Sequence, residues 1–505
     1  MTARPTTATR PNRAGAADRA VASSAALSSE RFAAPRGRQG VRLATLRSAR
    51  PSRVALLPGW PLFVFFGAFP LWWIAGFGVL GMMVAAVPMA YNLLRRRDIR
   101  VPPGFALWLF FLVWVTAGVT VLWVQPSGTA PVGGVDRLLP FGFALCWHLI
   151  ATIVLLYVGN FSRSELPDHL LHRLLGWMLL LTVIGGYVGY FAPAVELRSL
   201  LEIVLPGPLR GIDFLGLLIH PELAQVQDIG INVTRPAAPY VYANDWGANF
   251  GLLLPFFLLA WTGPLSGWRR RAFPVLAVLA IPPIVFSLNR GLWLGLIVAA
   301  AFVALRLATQ GRLGALANVT VAAVVLSGLI VATPLGDLVT ARLDNQHSNE
   351  GRTELALRAV TTALEESPVL GFGGSREIAG NFFSIAGGDS PLCPGCAPPN
   401  VGTQGHVWLL IFGHGVGGVL LFLGFLGRRL LAGLRDPSRE ATAMCAVVVF
   451  YLTVMFVYDL LLLPTVFLMV TLALLWRREA EGADERTTER VAARVGSFAT
   501  PVGHP

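Results

Sequence analysis

Three arginines and one histidine carry the chemistry open to this chain. Arg290 sits in SLNRGLWLG and Arg352 in NEGRTELALRAVTTALEESPVLGFGG. Arg235 opens RPAAPYVYANDWGANFGLLLP, and His406 sits in TQGHVWLLIFGHGVGG. A guanidinium is charged at any working pH, and its planar fork binds phosphate oxygens in pairs. An imidazole takes or gives a proton near neutrality, as an attacking hydroxyl requires.

Each residue also has a plainer reading. Arg290 lies at the outer junction of two apolar runs, where an arginine either snorkels to the interface or faces a phosphate. Arg352 falls in the first turn of a helix-forming stretch. A cation there opposes the helix dipole, yet free backbone N–H groups beside a guanidinium also make an anion site. Its plainer role is a solvated charge balanced by Glu350 or Glu354. Asn244 and Asp245 stand at a membrane edge, where either could N-cap a span. His406 opens a span directly after Gln404 and Gly405, a position that polar caps also occupy. His414, two helical turns further on and on roughly the same face, either supports His406 or is a buried neutral ring.

Cys393 and Cys396 form CPGC, too few ligands for structural zinc, and outside the cytoplasm they would form a local disulfide. The chain has no P-loop, dinucleotide fingerprint, metal-ligand cluster or nucleophile elbow. The expectation is therefore no cofactor and no metal.

The elements that must position these residues are membrane helices. Only 13% of the 505 residues are charged and 54% are hydrophobic, with mean hydropathy +0.62. Soluble domains carry about 25% charged residues. Runs of about 20 apolar residues, the length that crosses a bilayer, recur along the chain. They lie at 54–94 (two short spans meeting near Trp72–Gly76), 104–124, 137–159, 172–192, 243–262, 273–288, 291–306, 314–333, 407–427, 441–457 and 460–476. The expected fold is an all-α, polytopic membrane helix bundle of about twelve transmembrane helices.

Net charge is +12 and arginine supplies all of the positive charge. The arginine-rich connections alternate onto one side, which the positive-inside rule makes cytoplasmic. That charge balance reflects orientation, and no nucleic-acid partner is expected. Both termini then lie inside, as tails at 1–53 and 477–505. The bundle divides into spans at 54–333, with an outer loop at 193–242, and spans at 407–476. Between spans nine and ten comes a large extracytoplasmic loop at 334–406. Within it, residues 350–366 predict an amphipathic helix with Leu357, Val360 and Leu364 on one stripe, ended by Pro368. Span interiors hold few ionisable groups, chiefly His148 and His414, which argues against a coupled transporter.

These segments together resemble the O-antigen ligase/polymerase superfamily of bacterial membrane glycan-assembly enzymes. The resemblance covers roughly residues 230–430. The stretch from Arg235 to Asn244 is similar to the family's arginine-then-PN span entry. SLNRGLWLG resembles its SRG-type turn, with Asn289 where Ser is usual. The loop segment resembles its arginine-rich helix followed by P-x-x-G-x-G, which puts Arg352 and Gly371 on family positions. TQGHVWLLIFGHGVGG resembles its H-N-x-x-L segment, with Val407 in place of Asn, and Leu357 stands near a common Trp.

The resemblance implies transfer of an oligosaccharide from a polyprenyl-diphosphate carrier to a glycan or lipid acceptor at the outer face of the cytoplasmic membrane. It implies that Arg235, Arg290 and Arg352 hold the diphosphate and that His406 handles the proton, without metal or nucleotide. The rival expectation is a flippase or exporter of a lipid-linked saccharide.

Overall fold

The computed structural model describes residues 58–498 apart from 132, 211–212, 229–231, 345–346 and 380–399. The tail 1–53 and Cys393 and Cys396 lie outside the described residues. Each apolar run of the sequence becomes helix. The first six are α1 (Trp60–Gly67), α2 (Phe69–Ile74), α3 (Leu80–Leu94), α4 (Phe105–Ala117), α5 (Leu138–Gly159) and α6 (Asp168–Phe191). The connection after α6 folds into short helices α7 (Leu200–Val204), α8 (Gly207–Arg210) and α9 (Asp213–Ile219), then an antiparallel hairpin. Its strands β1 (Ala224–Asp228) and β2 (Asn232–Pro236) pair with Gln225 opposite Arg235. Next come α10 (Ala243–Thr262), α11 (Arg269–Phe286), α12 (Arg290–Thr309), α13 (Leu313–Val331), α14 (Leu335–Asp344) and α15 (His347–Glu366). The chain closes with α16 (His406–Leu434), α17 (Arg439–Val454) and α18 (Leu463–Phe498).

Five of these helices, α5, α6, α12, α13 and α16, are long and apolar enough to cross a membrane. The fold is thus an all-α bundle of membrane character. At its centre, α10 packs against α6, α12, α17 and α18. Small residues let these backbones close up, as in membrane bundles generally. Phe450 of α17 fills a notch between Gly251 of α10 and Gly295 of α12. A Cβ would come 1.9 Å from its ring at Gly251 and 2.6 Å at Gly295.

Three features differ from expectation. The first is α18, which continues to Phe498 instead of ending in a tail at residue 477. The sequence after Trp476 is rich in Arg, Glu and Ala, whose propensity and i,i+4 spacing sustain helix once one turn is anchored.

The second is an addition on α15: the expected stripe is exposed, as a membrane-facing stripe would be, and a further, buried seam lies on another side of the helix. Leu357 is 61% exposed and Leu364 49%. The buried seam is Leu355, Ala359 and Ala363, packed on Phe372 and Phe412. Two alanines allow α15 to sit close against α16, which an all-leucine stripe would prevent.

The third difference is in α16, which is broken. Gly415 has φ 61° and ψ −171°, so the helix is two limbs joined at a bend. The ring of His406 lies 5.4 Å from that of Phe422. In a straight helix, sixteen residues would separate them by about 24 Å. The limb that carries His406 and His414 therefore folds back toward the limb that carries Phe422.

A break inside a bilayer must have its backbone groups satisfied by protein. The segment after α15 does this. Phe372 and Gly373 donate their N–H groups to the carbonyls of Phe412 and Gly413, each at 2.8 Å, and Val416 donates to Pro368 O at 2.9 Å. The carbonyl of His414 accepts from the Trp114 indole at 3.0 Å. Gly371 is required here, since it has φ 66° and a Cβ would meet Phe412 O at 2.5 Å.

Candidate functional site

The turn between α11 and α12 is the hub of the site. Leu288 adopts a left-handed conformation, φ 51°, which sharpens the turn and aims its carbonyls at neighbouring elements. Arg235, on β2, donates Nε–H to Ser287 O at 2.7 Å. Its Nη2 donates to Asn289 Oδ1 at 2.5 Å and to Asn244 Oδ1 at 3.0 Å. Asn289 in turn donates to Ala243 O at 2.6 Å. Arg342 of α14 donates to Leu288 O at 3.3 Å. One buried guanidinium thus ties the hairpin, the entry of α10 and the turn together, and a second braces the turn from α14. Arg290 follows as the first residue of α12.

A second knot joins this helix start to that of α16. The amide of Leu292 donates to the Tyr458 hydroxyl at 3.1 Å, while Tyr458 O accepts from His406 N at 2.8 Å. The carboxylate of Asp459 accepts from the backbone N–H groups of Gln404 and Gly405, both at 3.2 Å. Two helix N-termini, each electropositive, therefore start from the same short connection between α17 and α18.

Arg290 and Arg352, 62 positions apart in the chain, line one groove of about 590 Å³ between α12, α15 and the start of α16. Its other walls are apolar: Leu294 from α12, Leu357 and Val360 from α15, with Trp408 and Phe456 beyond. The stripe expected to face a membrane surface is one wall of this groove. Arg235 and Arg342 lie close behind. Burial, together with the neighbouring Arg290 and Arg352 charges, lowers both guanidiniums to about 10. Four cationic groups held this near one another make a region that favours a polyanion, and the apolar walls favour one carrying a hydrocarbon chain.

The other sequence-chosen residues fall elsewhere. Arg235 is only 8% exposed, and its Nε and Nη2 are engaged by protein oxygens, so it shapes the turn that presents Arg290. Asn244 is part of the same lock. His406 is 1% exposed and does not line the groove. Its ring meets Phe422 and Tyr451 edge-on. Neither ring nitrogen has a hydrogen-bond partner among the described residues. The bend in α16 turns this imidazole inward, which the sequence does not reveal. His414 lies at the bend itself, 5% exposed, with its ring 6.2 Å from that of His148. No group of three or more His, Cys, Asp or Glu side chains among the described residues could hold a metal ion.

Arg342, Tyr458 and Asp459 were missed from sequence. Their signal was present, since Tyr458 and Asp459 form the whole polar connection between two apolar runs. No protein-family model matches this chain, and no curated protein matches it either.

Proposed function

We propose that the chain is a membrane enzyme that transfers or polymerises an oligosaccharide from a polyprenyl-diphosphate carrier onto an acceptor, in the manner of the O-antigen ligase/polymerase superfamily. In this reading about twelve helices span the cytoplasmic membrane, both termini are cytoplasmic, and the arginine groove opens at the outer face. One observation carries it: Arg290 and Arg352 share a groove whose remaining walls are apolar. A diphosphate needs the first feature and a polyprenyl chain the second.

The groove grips the diphosphate as it becomes a leaving group. The acceptor hydroxyl oxygen bonds to the anomeric carbon, the carbon–oxygen bond to the diphosphate breaks, and the diphosphate leaves with the electron pair. Guanidinium groups stabilise the charge that grows on it. The hydroxyl proton goes to a base at the groove mouth. We assign that role to Asp459, in the connection between α17 and α18, whose carboxylate accepts from the Gln404 and Gly405 N–H groups at the start of α16 and lies near enough to Arg352 for their charges to interact.

The test is reconstitution of the full-length protein in liposomes with a polyprenyl-diphosphate-linked oligosaccharide and a glycan acceptor, followed by product sizing. A transferred or lengthened glycan, formed with a chelator present and lost in Arg290→Gln/Arg352→Gln, is expected. Carrier lipid moved across the bilayer with its glycosidic bond intact would instead favour an exporter.

A further inference from the structure

A second basic groove lies at the other end of α10. That helix has 20 residues, so its two ends are about 30 Å apart, one hydrocarbon thickness. Near Asn244 it meets the arginine hub. Near Thr262 it borders a cavity of about 520 Å³ between α6, α10 and α17.

Four arginines line this cavity, Arg163, Arg173, Arg439 and Arg478, against the carboxylates of Asp168 and Glu440. Asp168 is already engaged, by Arg163 at 3.1 Å and Arg477 at 3.2 Å. Arg478 is held by Asp436 at 2.8 Å. Arg173 and Arg439 are different. Among the described residues neither belongs to an ion pair, and both donate to neutral oxygens at the end of α10. Arg173 donates to Leu265 O at 3.0 Å. Arg439 donates to Thr262 O at 3.3 Å and to the Thr262 hydroxyl. Each guanidinium has five N–H donors, so each keeps donors on the cavity wall after making these bonds.

The cavity is not a site for a freely soluble anion. Its floor includes Leu259, Ala260 and Pro264, and its rim is Leu265, 63% exposed. Trp268, three residues further on, is 69% exposed and packs edge-on to Trp261. An exposed tryptophan at the end of a membrane-length helix marks the headgroup level of a bilayer. Basic pockets between helices at that level attract phosphate-bearing lipids.

We propose that the groove between α6, α10 and α17 binds the headgroup of an anionic phospholipid, with Arg173 and Arg439 on its phosphate and the acyl chains against Leu259 and Leu265. This site is separate from the outer groove and does not rest on the proposed transfer reaction.

The test is native mass spectrometry of the full-length protein in neutral detergent, with phosphatidylglycerol or phosphatidylcholine added at equal molar ratio. Phosphatidylglycerol is expected to be retained about tenfold better. That preference should fall to near parity in Arg173→Gln/Arg439→Gln and persist in Arg290→Gln/Arg352→Gln. Leu265→Glu places an acid at an exposed rim position without removing any arginine, and is expected to cause the same loss in a protein that keeps its packing. Equal retention of both lipids by the wild type, or a preference that survives Leu265→Glu, overturns the proposal. Displacement of the lipid by 10 mM inorganic phosphate, a concentration of about the level that saturates weak anion sites, would reassign the groove to a soluble anion.

Discussion

Arginine is held in two contrasting ways in this bundle, and the end that carries Arg173 and Arg439 mixes them. At one end Arg163, Arg429, Arg477 and Arg478 sit 2.7–3.2 Å from the carboxylates of Asp168, Glu479 and Asp436. At the other end, the hydrogen bonds described for Arg235 and Arg342 run to Ser287 O, Leu288 O, Asn244 and Asn289, which are neutral oxygens. A carboxylate partner cancels a guanidinium's charge, whereas an amide or carbonyl fixes its direction and leaves the field intact. The first arrangement fastens helix ends. The second stores positive potential beside a groove.

The comparison breaks most sharply at Arg235. Arg235→Ala leaves the oxygens of Ser287, Asn244 and Asn289 without their donor inside the protein. It is expected to cost roughly 3 kcal/mol of stability, read as a lower Tm in detergent, with Arg290 misplaced as well. Next, Arg290→Gln/Arg352→Gln is expected to weaken polyprenyl-diphosphate binding about a hundredfold, two charge-assisted contacts, with little change in Tm. A hundredfold loss in Arg235→Lys with Arg290 and Arg352 intact would mean that Arg235 touches the ligand directly.

The pH response follows from the depressed guanidiniums. Arg235 and Arg342 have folded values near 10, below the ordinary arginine value. As pH rises through 10 the folded protein releases protons that the unfolded chain keeps. Anion affinity is therefore expected to be flat from pH 6 to 9 and to fall about tenfold by pH 11, while the burial cost of these two charges lessens over the same range. Titration calorimetry with inorganic sulfate, whose charge is constant over this range, reads the first effect. The smallest change is at the opposite end. Arg163→Gln removes partly exposed ion pairs and is expected to shift stability by under about 1 kcal/mol.

The sequence made the helices legible because apolar length is a local property. Arg290 is conspicuous as a charge at a span edge, whereas Arg352 belongs to a polar loop helix and only the fold brings the two into one groove. The inward turn of His406 was hidden because it depends on Gly415 and on a partner segment far along the chain. The GHGVGG run in α16 was a visible signal of a weak helix, but hydropathy masked it. The hairpin that carries Arg235 is hidden for another reason: β1 and β2 are only five residues each, AQVQD and NVTRP, too short and too polar to stand out beside the apolar runs. The buried seam of α15 is inconspicuous in the sequence because two of its members are alanines, which suit a close helix contact without standing out in an apolar pattern.

The segment from Pro368 to Gly373 ties two parts of the molecule together. It is the direct continuation of the helix that carries Arg352, and its backbone is stitched into the bend of α16, next to the limb bearing Trp408. The charged and the aromatic walls of the groove therefore hang from one continuous backbone support.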